Sequence, residues 1–156
     1  MDFLIPLAVI AHVISVVLWV GGMFFAYVVL RPSLGVLEPP PLRLKLWAHV
    51  FRLFFAWVWG GIVVLTLSGF YLISAVYGGL ENVGLHIHLM YSIAMIMILL
   101  FFGLYFGPYQ RFAQAANVDD WPTAAGILPS IRRIVAINLS LGLITAAIGA
   151  SGRYWL

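Results

Sequence analysis

The residues with the clearest capacity for chemistry are three histidines in apolar surroundings. Residues 83–91 read VGLHIHLMY, so His86 and His88 stand at the head of a long apolar run, and His12 lies within another. An ionisable side chain inside a membrane-length apolar run is a functional-site hypothesis by default. Neutral imidazole is a common metal ligand and the usual axial ligand of haem iron. These three histidines are therefore the candidate metal ligands.

The first chemistry that fits them is a b-type haem. Its iron would be held by His12 and by His88 or His86, with Trp19 and Tyr91 among the walls of the pocket. Two axial imidazoles close the coordination sphere, which favours electron transfer with a redox partner or a quinone. With an open sixth position, the same haem predicts a haem-dependent oxidoreductase instead.

The second chemistry is copper. Residues 86–90 read HIHLM, and Met23 and Met95 add two more thioethers. Imidazole and thioether ligands together suit Cu(I), although methionine is also an ordinary filler of apolar helices. The chain has no cysteine, which excludes disulfides, thiolate metal sites and thiol nucleophiles.

The composition predicts that membrane-spanning helices position these residues. The chain is 64% hydrophobic and 8% charged, with a mean hydropathy of +1.09, so it lacks the polar residues for a water-facing shell. Four apolar runs reach the roughly 20 residues that a spanning helix needs, at about residues 4–30, 42–77, 83–107 and 131–151. We expect a single all-α transmembrane domain, residues 1–156, whose helices form an antiparallel four-helix bundle in contact with the lipid bilayer.

The cations predict how this bundle is oriented. Seven of the eight lie beside the first and third connections between the runs, at Arg31, Arg43, Lys45, Arg52, Arg111, Arg132 and Arg133. Because cytoplasmic loops carry the excess of Lys and Arg, we expect both connections in the cytoplasm and both termini outside a bacterial inner membrane. Arg153 is the only cation at the outer end, so it is the candidate partner for the propionates of a haem there.

Helical periodicity separates the two histidines of the third run. At about 100° per residue, His88 shares a face with Tyr91, Ser92, Met95, Leu99 and Phe102. His86 shares its face with an apolar stripe that suits lipid, Met90, Ile93 and Met97. The periodicity therefore predicts that His88 faces the interior with His12. His86 is expected nearer the membrane interface, where it would either hydrogen-bond to a ligand of the site or be a ligand itself.

Segments from all four runs resemble the bacterial copper-resistance-D-like membrane proteins. These segments are AHVISVVLWVGGMFFAYVVLRP, PPLRLKLWAHVFRLFFAWVW, LHIHLM and IRRIVAINLSLGLIT. The resemblance covers nearly the whole chain. It implies a copper-handling membrane protein, with copper import into the cytoplasm as the activity that the family name suggests.

The first and third segments also resemble the HemJ-type protoporphyrinogen oxidases, which are four-helix proteins that bind b-type haem. That resemblance implies functional roles for His12 and His86, in conflict with the preference for His88 from periodicity. The HemJ-type pattern has a lysine two residues after the second histidine, where this chain has His88. The departure argues against porphyrinogen oxidation and leaves His88 free to be a ligand.

Charge excludes several other classes of function. A net charge of +3 is too small for a nucleic-acid footprint, so no nucleic-acid partner is expected. The five acids lie in loops or at the ends of the runs, so hydrolytic and phosphoryl-transfer sites are not expected. The predicted partners are lipid, a redox partner or quinone, and a second copy of the chain in a homo-oligomer.

Overall fold

The structure is a computed structural model that describes residues 3–155, with the backbone alone of Arg153. Four long helices make up this part of the chain: α1 (Leu4–Val36), α2 (Pro41–Tyr77), α3 (Leu85–Asn117) and α4 (Trp121–Ser151). Each helix is long and apolar enough to cross a membrane, and residues 3–155 contain no strand. The predicted all-α class with four spanning helices is confirmed, so the lipid bilayer is the solvent of the outer surface.

Helices α1 and α3 both continue past a proline at which the sequence predicts an end. The predicted ends lay at residues 30 and 107, yet α1 passes Pro32 and α3 passes Pro108. An interior proline removes one hydrogen bond and crowds the preceding turn. In both helices a wider turn with i→i+5 hydrogen bonds, Phe25–Leu30 before Pro32 and Tyr105–Tyr109 around Pro108, gives the ring room.

Helix α4 begins ten residues before its predicted start at residue 131, because a strong cap and a tolerated proline come earlier. The Asp120 carboxylate accepts a hydrogen bond of 3.2 Å from the backbone N–H of Thr123, as preferred N-cap residues do. Pro122 stands in the first turn, where its missing N–H costs nothing. The predicted long gap between the third and fourth runs is therefore wrong, and three residues join α3 to α4.

The helices pack as two antiparallel pairs, α1 with α2 and α3 with α4, and α4 also contacts α1 and α2. We call the end with the α1–α2 and α3–α4 connections the inner end, and the opposite end the outer end. Gly142 marks a point where three helices meet. A Cβ there would lie 2.8 Å from Val20 of α1 and 3.1 Å from Met97 of α3.

The inner half of the bundle is filled by aromatic rings. Phe51 and Phe55 of α2 stack with 5.4 Å between centroids, and Tyr109 of α3 stands edge-on to Phe55 at 4.8 Å. Phe101 carries the cluster toward mid-membrane, 5.6 Å from Phe55. Toward the outer end the buried residues are smaller or polar, such as Ser68. This half of the bundle can therefore accommodate polar side chains.

Candidate functional site

His12 lies in the outer half of α1 and is half-buried against α2. Its Nδ1 is 3.0 Å from the Ser68 hydroxyl, and that hydroxyl donates its own proton to the Val64 carbonyl oxygen at 2.6 Å. Because the shortest contact of the hydroxyl directs its proton to the Val64 carbonyl, we assign His12 Nδ1–H as the donor to Ser68. The Nε2 of a neutral His12 then keeps its lone pair, the form in which imidazole binds metals.

A glycine gives the His12 ring its seat on α2. A Cβ added at Gly69 would lie 3.2 Å from the ring carbon Cε1. A larger residue at this position would therefore require the imidazole to shift by a few tenths of an ångström. Gly69 and Ser68 together fix where the ring lies and which nitrogen is free.

His86 lies in the first turn of α3 and is packed against the segment that ends α4. A Cβ added at Gly152 would overlap the imidazole of His86 and would lie only 2.8 Å from the Cβ of His86. The Trp155 indole stands 6.4 Å from the imidazole, with 66° between the ring planes. His86 is half-buried as a result.

Met90 lies one turn further along the same face of α3. A Cβ added at Gly149 of α4 would be 3.0 Å from Met90 Cε and 3.4 Å from its sulfur. Residues four apart on a helix are neighbours on its surface. His86 and Met90 therefore share one face of α3, each against a small residue of the facing chain, Gly152 and Gly149.

The predicted orientation of the two α3 histidines is wrong. His88 is exposed, and so are Met95 and Leu99 on its face, whereas His86 and the apolar stripe below it face α4. Met97 of that stripe is 3% exposed. Lipid and a neighbouring helix are equally apolar, so an apolar stripe does not distinguish them.

Trp19 and Tyr91, predicted as walls of a haem pocket, each pack against a phenylalanine. Trp19 is 3% exposed and stands edge-on to Phe101 at 6.2 Å. Tyr91 is half-buried and stands edge-on to Phe70 of α2 at 6.1 Å. Both rings therefore contribute to helix packing. Arg153, the predicted propionate partner, lies outside the described side chains.

The histidines do not converge on one metal site. Within the described part of the chain, no group of three or more His, Cys, Asp or Glu side chains could hold one ion. His12 sits between α1 and α2, and His86 sits between α3 and the end of α4. His49 lies at the inner end, where its Nδ1 accepts a hydrogen bond of 3.2 Å from Arg52.

Sequence reasoning did not find the residues that seat the two imidazoles. Ser68, Gly69 and Gly149 stand out in the sequence only as small residues suited to close helix packing. Gly152 and Trp155 carry no signal by themselves. The usable signal is a small residue that faces a histidine across a helix interface, and it requires the pairing of helices to be known.

Comparison with known proteins places the chain in a family. The family model described as Copper resistance protein D matches residues 48–151, about two thirds of the chain. The matched segment contains most of α2 and all of α3 and α4, hence His86 and Met90, whereas His12 precedes it. No curated protein and no solved structure matches the chain. The length of the family match, on a fold of four membrane-spanning helices, shows that the chain belongs to the copper resistance protein D family.

Proposed function

We propose that the protein handles copper at the membrane and binds Cu(I) at the outer end of α3, through the His86 imidazole and the Met90 thioether. The observation that carries the proposal is the placement of these two side chains. They lie one turn apart on one face of α3, each against a glycine of the facing chain. Ligands four residues apart on a helix can bind a single metal ion, as in zinc-binding helices.

The types of ligand favour copper over other ions. Thioether and imidazole are soft or borderline ligands that suit Cu(I), whereas Mg²⁺ and Ca²⁺ require oxygen ligands. Structural zinc sites use four protein ligands, and the described residues offer no group of three or more His, Cys, Asp or Glu. A pair of soft ligands fits an ion that is bound and passed on, so copper is the cargo here.

His12 supplies a second neutral imidazole in the outer half. Its Nδ1 is occupied by Ser68, which leaves Nε2 as the metal-binding nitrogen. His12 lies eight residues into α1, whereas His86 is in the first turn of α3. We assign His12 to a separate, deeper position, where its imidazole would bind the copper ion after it leaves His86 and Met90.

The proposed location is a bacterial inner membrane with the outer end facing outside. Seven of the eight cations lie at the inner end, and an excess of Lys and Arg is typical of the cytoplasmic side of a membrane protein. The His86–Met90 pair then meets copper that arrives from outside the cell.

The haem predicted first from the sequence receives no support from these contacts. His12 and His86 belong to different helix interfaces, and Gly152 closes one side of the His86 ring. An absorption spectrum of the purified protein tests that prediction, because a Soret band would show the cofactor directly.

Competition for Cu(I) against a chromophoric chelator tests the copper site in the detergent-solubilised full chain. We expect His86→Ala and Met90→Leu each to weaken Cu(I) binding about tenfold or more. Loss of a group that only hydrogen-bonds to a metal ligand already lowers metal affinity by about that factor. His88→Ala and Met95→Leu are the matched controls, because both residues are exposed on the same helix. They are expected to change the affinity less than about twofold.

Two outcomes count against the site. Full affinity in both His86→Ala and Met90→Leu would show that copper is held elsewhere. Equal losses in His88→Ala would show that burial on α3 does not select the ligand.

A further inference from the structure

A cleft at the inner end gathers positive charge without a counterion. It has a volume of about 470 Å³ and is lined by Tyr27, Val28, Arg31, Pro32 and Arg132, so it lies between α1 and α4. No acidic side chain lines it. We call it the Arg31–Arg132 cleft.

One buried donor at this cleft, and a second in the cavity beside it, lack a partner. A smaller cavity that shares Tyr27, Arg31 and Arg132 with the cleft is also lined by Trp47 of α2. Arg132 Nε and Trp47 Nε1 are both buried, and neither has a hydrogen-bond partner among the described residues. Buried donors in native proteins are almost always paired, so these two point to an acceptor that is not part of the chain.

Nearby acids are committed elsewhere. In the described part of the chain the single ion pair joins Arg43 to Glu38, at 2.6 Å. Asp120 caps α4 through Thr123. Arg31 instead lies over the Tyr27 ring, 5.1 Å from its centroid, which holds one guanidinium at the mouth of the cleft by a cation–π contact.

We propose that the Arg31–Arg132 cleft binds the phosphate of an anionic phospholipid. Guanidinium groups bind phosphate oxygens in bidentate geometry, and a phosphodiester offers acceptors for both arginines. Basic pockets between spanning helices on the cytoplasmic side bind lipid head groups in this way.

Position selects a lipid rather than a soluble anion. The cleft lies at the end of the bundle that carries seven of the eight cations. Its wall includes Val28, which is 47% exposed on the lipid-facing surface of α1. An acyl chain can lie along this apolar surface while the head group sits between the arginines.

Thermal unfolding of the detergent-solubilised full chain tests the proposal with three probes: dioleoyl phosphatidylglycerol, dioleoyl phosphatidylcholine and inorganic phosphate. We expect phosphatidylglycerol to raise the midpoint by about 5 °C, and the other two to change it by less than about 1 °C. An equal shift with phosphatidylcholine overturns the proposal, because charge would then be irrelevant. An equal shift with inorganic phosphate overturns the assignment to a lipid.

Variants locate the effect. Arg31→Gln and Arg132→Gln are expected to lose the shift with phosphatidylglycerol, and Arg133→Gln, an exposed cation outside the cleft, is expected to keep it. Arg31 is exposed, so its replacement keeps the fold and preserves the test even where Arg132→Gln unfolds. A shift that survives in Arg31→Gln, or that disappears in Arg133→Gln, overturns the site.

Discussion

At the scale of single residues, the hydrogen bond of His12 determines which of its nitrogens is available. Ser68 accepts from Nδ1–H because its own proton goes to the Val64 carbonyl. The serine therefore fixes the tautomer of the imidazole through a hydrogen bond to its Nδ1–H. Such hydrogen bonds are common around metal-binding histidines. Loss of Ser68 would remove this hydrogen bond and leave the Leu65 carbonyl as the remaining acceptor beside the imidazole.

Replacing Ser68 by Ala is expected to lower the free energy of unfolding by about 0.5–1.5 kcal/mol, the net contribution of one hydrogen bond. Denaturant unfolding in mixed micelles measures the change. Ser140→Ala is the matched control, because that exposed serine donates to the carbonyl four residues earlier and touches no histidine. Its effect should stay within about 0.5 kcal/mol.

A double-mutant cycle separates the histidine from other effects of the serine. In a His12→Ala background the Ser68→Ala change should cost less, because the His12–Ser68 hydrogen bond is then already absent. A cost that is the same in both backgrounds would contradict the assigned tautomer.

The residue types of the site follow from the sequence, but their orientation does not. The sequence identifies His12, His86 and the methionine after HIHL as candidate ligands. It cannot decide between His86 and His88, because the stripe of Met90, Ile93 and Met97 suits lipid and protein equally well. Only the packing of α3 against α4 and the residue after it, Gly152, leaves His86 half-buried while His88 is exposed.

At the scale of helices, proline is a weaker stop signal in this bundle than in isolated helices. Pro32, Pro108 and Pro129 all lie within helices, and wider turns accompany the first two. Helices of about 31–37 residues exceed the roughly 20 that span the hydrocarbon core. Their inner ends continue the aromatic core beyond it, which hydropathy alone cannot predict.

The cap at Asp120 gives α4 a pH dependence. Hydrogen bonds from Thr123 lower the pKa of the Asp120 carboxyl below its ordinary value of 3.8. A lowered pKa in the folded state stabilises the protein above the unfolded pKa, and this contribution is lost as the pH falls through the folded pKa. Asp120→Ala should therefore lower the unfolding midpoint at neutral pH.

The difference between wild type and Asp120→Ala is expected to shrink as the pH is lowered to about 3 and below. Thermal unfolding across this range measures it. Asp119→Asn serves as control, since Asp119 is exposed and has a φ of 56°, which asparagine tolerates. A difference that is constant with pH would contradict the role of the ionised carboxylate.

At the scale of the whole molecule, the distribution of cations is the strongest signal of orientation. Seven lie at the inner end, near the two connections of the helix pairs. Because lysine and arginine are retained in the cytoplasm, we predict that both termini face outward. With this orientation, the proposed copper site would face the outside of the cell and the proposed lipid site would face the inner leaflet.

Reporter fusions test this orientation. Alkaline phosphatase, which requires an oxidising compartment for its disulfides, should be active when appended to the C-terminus. It should be inactive when inserted between Val118 and Asp119. The reverse pattern would place the His86–Met90 pair in the cytoplasm and contradict uptake from outside.

The central claim is that one thioether, Met90, and one imidazole, His86, hold copper. X-ray absorption spectroscopy of the Cu(I)-loaded protein tests it most directly, because the chain has no cysteine and any sulfur ligand must be a methionine. We predict one sulfur scatterer beside nitrogen in the wild type and in Met95→Leu, and no sulfur in Met90→Leu. A copper shell without sulfur, or a sulfur that persists in Met90→Leu, would contradict the account.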